Sequence, residues 1–235
     1  MEVFDRAEQA PVPILAGFNS GEIRSLRFLA PPVPADATKY EASIRERYGD
    51  LADKFLKLYP STHLEESILA TTRDALYGWT SERLVSKHTA RGQASFLYLF
   101  DHGYPAADGA GLHAFHASEL PFVFGTTQRT TPLWPKIPAT TVHKQLSDAM
   151  LDYWSSFIIS GQPSAAGHPS WPAYGLKREY MAFADEPRAG VHLMPGMFEL
   201  VEEVVCRRRA DGTQPWNWNV GLVAPPLPAR AESCR

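Results

Sequence analysis

No stretch of this chain stays apolar for the roughly 20 residues that a membrane-spanning helix requires; its longest apolar runs are of the kind seen at Pro11 to Phe18 and Leu120 to Gly125. Cysteine is scarce. With only Cys206 and Cys234, neither a disulfide-stapled small scaffold nor a Cys-x-x-Cys metal knuckle is available. An excess of positive charge is missing too: the formal net charge is -3, with both signs interspersed. That leaves no basic footprint for nucleic acid and no polybasic stretch for an anionic membrane. Met1 to Ala10 carries Glu2, Asp5, Arg6 and Glu8, where a secretory signal would have a basic start and an apolar centre. Two readings follow, a protein that stays inside the cell or a longer chain that starts upstream, and the compartment is left undecided.

What is present is apolar material: 44% of the 235 residues are hydrophobic and 11% aromatic, enough for a sizeable core. Pro13-Ile-Leu-Ala-Gly-Phe-Asn19 is almost continuously apolar and predicts a strand buried on both faces. Ala37 to Tyr48 and Leu51 to Tyr59 show helical spacing, with Pro60 as the stop. Thr62 and Glu65 fit a capping box that opens a helix through Ile68, Trp79 and Val85 to about His88. Further strands are predicted at Ala94 to Phe100 and Tyr180 to Phe183, and further helices at Val142 to Ile159 and Met197 to Arg208. Three strands among several helices predict an α/β fold. Residues 1 to 224 read as domain and residues 225 to 235, rich in Pro and Ala, as a loose tail. A tail of that kind holds Cys234 poorly, so free thiols are expected, although pairing with Cys206 is open.

Of the eight histidines, His63, His88, His143, His168 and His192 lie singly and read as structural or surface residues. His102, His113 and His116 cluster on the loop after the clearest strand, where an α/β sheet presents reactive groups. A metal site could use His113 and His116 with Glu119 or Asp108, but no His-Glu-x-x-His run accompanies them. Nucleophilic catalysis instead needs an imidazole and a carboxylate to hold its tautomer. Glu22 follows the first apolar strand and precedes His116 by 94 residues, in the order acid then histidine that α/β-hydrolases use after their serine.

At these positions the sequence resembles a known family. Gly17-Phe-Asn-Ser-Gly-Glu22 is similar to the segment bearing the acidic triad member in type-B carboxylesterases and cholinesterases. Ala114-Phe-His-Ala-Ser-Glu-Leu-Pro-Phe-Val-Phe-Gly125 resembles that family's catalytic-histidine segment. Phe96 to Asp101, Trp154 to Pro163 and Trp171 to Tyr174 resemble flanking parts, so the likeness spans nearly the whole chain and is closest to bacterial, para-nitrobenzyl-esterase-like members. The resemblance implies the C-terminal part of an α/β-hydrolase fold, late sheet strands with packed helices and the N-terminal half absent. It implies His116 as general base and Glu22 as its orienting acid, with Glu119 pairing internally to fix the loop. A small-molecule ester would be the substrate, and no metal or organic cofactor is implied.

No Gly-x-Ser-x-Gly pentapeptide, the turn that displays the nucleophile in this fold, occurs in the sequence. The expectation is therefore a fragment or truncated product, inactive alone and partnered by the missing N-terminal half. A sheet deprived of its earlier strands exposes edges and apolar surface, so the isolated chain is expected to associate. Two rivals stay open: a non-catalytic interaction protein on the same fold, which has no need of both Glu22 and His116, and a metal-dependent hydrolase using His102, His113 and His116. Phe122, Phe124, Trp79 and Trp134 are candidates for a substrate pocket, with core packing the alternative for each.

Overall fold

The computed structural model describes residues 2 to 212 and 221 to 234. Met1, residues 213 to 220 and Arg235, which fall within the expected domain and tail, lie outside the described residues. In chain order the elements are α1 (Glu2–Asp5), β1 (Ile14–Asn19), α2 (Ala37–Tyr48), α3 (Ala52–Leu58), α4 (Leu64–Arg73), a π turn (Asp74–Gly78) and α5 (Trp79–Thr89). They continue with β2 (Ser95–Phe100), α6 (Pro105–Gly109), α7 (Leu120–Val123), α8 (Thr141–Ser160), β3 (Glu179–Phe183), β4 (Pro187–Val191) and α9 (Met197–Ala210). The chain divides into two compact units, Met1–Ser25 with Ser81–Leu193 and Leu26–Thr80 with Met194–Arg235.

The first unit is built on a mixed sheet in the order β1-β2-β3-β4, with β1, β2 and β3 parallel and β4 antiparallel to β3. The parallel strands are the three apolar runs legible in the sequence. β4 was not predicted, because Pro187-Arg-Ala-Gly-Val191 combines a proline, a glycine and a charge. Such a segment suits only an edge, with Pro at its first residue where no ladder donor is needed. β2 supplies Phe96 and Phe100 and β3 supplies Met181 and Phe183 to a core closed by Leu146, Met150 and Tyr153 of α8 and by Trp171. Each such side chain stabilises by about 1.5–3 kcal/mol through removal from water. The Thr140 side chain accepts the His143 N–H at the start of α8, and Gly161, at φ 75°, ends it, as Gly161 and Pro163 led us to expect.

In the second unit, Tyr40, Ile44 and Tyr48 of α2, Phe55 of α3, Trp79, and Leu200, Val201 and Val204 of α9 form a separate core. Asp36 caps α2 by accepting the Lys39 N–H at 2.8 Å. Thr62 does not cap α4: it lies in a 3-10 turn, Ser61–His63, and α4 begins at Leu64 without a side-chain cap. The expectation of free thiols is overturned, because Cys206 and Cys234 are joined by a disulfide. The segment after residue 224 is tethered before that bond as well. The Leu227 N–H donates to the Arg47 carbonyl at 2.7 Å, and Arg208 Nη2 donates to the Pro225 carbonyl at 2.8 Å. Composition alone does not reveal such tethers.

Within the sheet, Gly17 stands opposite Tyr98. A Cβ at Gly17 would lie 2.3 Å from the Tyr98 carbonyl oxygen and 2.4 Å from its ring. The Gly17→Ala substitution is therefore expected to destabilise the first unit by about 1–3 kcal/mol, read as a lowered midpoint in urea with little change in slope. An unchanged midpoint would mean that β1 and β2 are not paired in this register.

Candidate active site

Parallel pairing aligns the ends of β1 and β2, so the loops that follow them meet at one edge of the sheet. The contact is anchored by backbone bonds: the Ser20 N–H donates to Phe100 O and the Gly21 N–H to Ala114 O, each at 2.9 Å, and Gly21 forms a parallel bridge with Phe115. Residues nearly a hundred positions apart are thereby brought into one cluster.

Glu22 is 5% exposed, a placement that a carboxylate tolerates only with hydrogen-bond partners. Its Oε1 accepts the Asn19 backbone N–H at 2.9 Å, and its Oε2 lies 2.5 Å from His116 Nδ1. The His116 side chain remains 44% exposed. The second carboxylate, Glu119, takes a different partner. Asn19 Nδ2 donates to Glu119 Oε2 at 2.5 Å and to the Phe115 carbonyl at 2.8 Å. Burial pushes the Glu119 carboxyl above its ordinary range, and the Asn19 hydrogen bond opposes that shift. The two acids are thus sorted: Glu22 faces the imidazole, and Glu119 holds the loop through Asn19. Asn19, fully buried, was not singled out from the sequence; a lone Asn ending an apolar strand was the available signal.

The three clustered histidines go separate ways. His102 Nδ1 lies 3.1 Å from Asp185 Oδ1, and its buried ring packs 5.1 Å from that of His143. His113 lies between Asp101 and Asp108, and His116 faces Glu22. Among the described residues no group of three or more His, Cys, Asp or Glu side chains is placed to hold a metal ion, so the metal arrangement of His102, His113 and His116 is not formed. Of the aromatic pocket candidates, Phe122 and Trp79 are buried in the two cores, Trp134 packs on Phe115, and Phe124 is exposed.

The sequence profile described as "Carboxylesterase family" matches residues 4 to 198. This chain belongs to that family. It is 35% identical over 120 residues to carboxylesterase 3B of Mus musculus, an overlap covering 48% of this chain and 21% of that protein. With carboxylesterase 4A of Bos taurus it shares 24% identity over 210 residues, covering 80% of this chain and 36% of the relative. A solved PNB esterase superposes with a TM-score of 0.64 at 26% identity, over 85% of this chain and 40% of the other. The fold is accordingly that of an α/β-hydrolase in part, and the overlap reaches well under half the length of each of these proteins.

Burial lowers the pKa of both His102 and His143, and for His102 the neighbouring His143 adds to the effect while Asp185 opposes it. A folded-state value below the unfolded value of about 6.5 contributes stability that is present above the unfolded pKa and lost as pH falls through the folded one. The melting temperature is therefore expected to fall between pH 7 and pH 5 by more in the wild-type chain than in His102→Gln. Comparing the two cancels the contributions of Glu119 and His113. Parallel pH profiles for the two proteins would contradict the assignment.

Proposed function

We propose that this chain supplies the histidine and the acid of a serine-type carboxylic ester hydrolase, with the nucleophilic serine and the oxyanion donors contributed by a segment outside these residues. The observation that carries this reading is the His116 Nδ1 to Glu22 Oε2 contact at 2.5 Å beside a partly exposed ring. A carboxylate on Nδ1 keeps the hydrogen there, so Nε2 is the nitrogen that takes the serine proton as the hydroxyl attacks the ester carbonyl. The imidazolium formed is stabilised by Glu22, and it returns the proton to the departing alcohol. Water then repeats the sequence on the acyl-serine, releasing the acid. The substrates are small uncharged or modestly polar esters, consistent with the absence of a basic or acidic excess in the chain. No cofactor enters the scheme.

The serine is the missing component. The 235 residues contain no Gly-x-Ser-x-Gly turn, so the chain alone is predicted to be inactive. Hydrolysis of p-nitrophenyl butyrate is expected only when the chain is co-expressed with the N-terminal half of a related esterase. In that complemented enzyme, Glu22→Gln should lower kcat on the order of 10⁴-fold and His116→Ala on the order of 10⁶-fold. Activity of the lone chain that chelators abolish, or complemented activity indifferent to His116→Ala, would sink the proposal.

A further inference from the structure

We propose that His113 is a positioning residue for His116: clasped between Asp101 just after β2 and Asp108 of α6, it holds in place the loop that presents His116. This inference rests on the acyl-transfer reading above, and its geometry concerns residues which that reading does not use.

The loop bears two residues in the left-handed region that L side chains seldom adopt, His113 at φ 48° and Ala117 at φ 70°, and they bracket His116. A backbone in that form persists only where its surroundings impose it. On one flank β1 does so, through Gly21 to Ala114 and Asn19 to Phe115. On the other flank the clasp does so. His113 Nε2 lies 3.2 Å from Asp101 Oδ1, and Nδ1 lies 2.9 Å from Asp108 Oδ1. Asp101 is itself fixed, because its N–H donates to the Phe183 carbonyl of β3 at 2.8 Å and its Oδ1 accepts from Ser20 Oγ at 2.5 Å. The chain makes room for the clasp at Gly103, where a Cβ would lie 2.3 Å from His113 Nδ1 and 2.4 Å from Asp108 Oδ1.

Carboxylate oxygens accept and do not donate, so both ring nitrogens of His113 must carry hydrogen. The clasp is therefore a cation between two anions, and the Asp101 hydrogen bond, followed by that of Asp108, raises the imidazole pKa against the opposing effect of burial. The other polar groups nearby are His102, the Tyr180 hydroxyl on the Asp101 side, and Arg24, whose Nη1 reaches the Gly111 carbonyl at 3.4 Å. A raised folded-state pKa means that the clasp holds fully below the unfolded histidine value and opens as pH rises through the folded one.

Two substitutions test this. His113→Gly removes the clasp yet suits a backbone at φ 48°, so a position that mattered for its backbone alone would be unharmed. We expect the ring resonances of His116, followed in the full chain with isotope-labelled histidine, to broaden and shift, with the melting temperature little changed. In the complemented esterase kcat should fall about 10- to 100-fold, the scale of a displacement near 1 Å, with KM nearly constant. Asp108→Asn, which keeps the shape and removes one charge, should match the wild-type activity at the acidic side of the pH profile and shift the alkaline loss to lower pH. Wild-type His116 resonances and an unchanged pH profile in both variants would overturn the clasp. The resonance readout needs no serine, so it stands or falls independently of the hydrolase reading, which is tested by His116→Ala.

Discussion

A buried carboxylate needs donors, and in this chain the donors for Glu22 come from opposite ends of a 94-residue separation. The Asn19 N–H lies three residues before it, while the His116 ring belongs to the loop after β2. Because an unpaired charge in that environment is costly, the burial of Glu22 is tolerable only if the loop after β2 returns to the end of β1. The parallel pairing of β1 with β2 makes that return short, and the aromatic core under β2 and β3 holds the strands in register.

Further carboxylates at the same edge take partners other than the Glu22 pair. Glu119 is held by Asn19, and Asp101 and Asp108 share His113. Asn19 contacts both sides of the arrangement: its backbone serves Glu22 and its side chain serves Glu119 and the Phe115 carbonyl. One asparagine thereby ties the acid, the histidine loop and the strand end together.

Much of the fold was legible because its signals are local. The runs at β1, β2 and β3 are apolar and bounded by turn residues, and α8 is announced by its apolar spacing and by Gly161 and Pro163. The readings that failed depended on distant partners. β4 has a poor sequence for a strand and forms because β3 offers an edge. The pairing of Cys206 with Cys234 depends on the tail's return to α2 and α9, through Arg47 and Arg208. Thr62, a good cap by pattern, lost its place to a 3-10 turn that begins α4 two residues later.

By itself, the sequence determined the family, the α/β class, the principal strands and helices, and the histidine and glutamate worth testing, because these rest on short motifs and on periodicity within single elements. The tertiary structure decided the contacts that these groups make. It separated His102, His113 and His116, which lie close in sequence, and joined Glu22 to His116, which do not. The physical reason is that hydrogen-bond partners are chosen by distance in space and by the cost of leaving a buried charge unpaired, and neither is written in the spacing of residues along the chain.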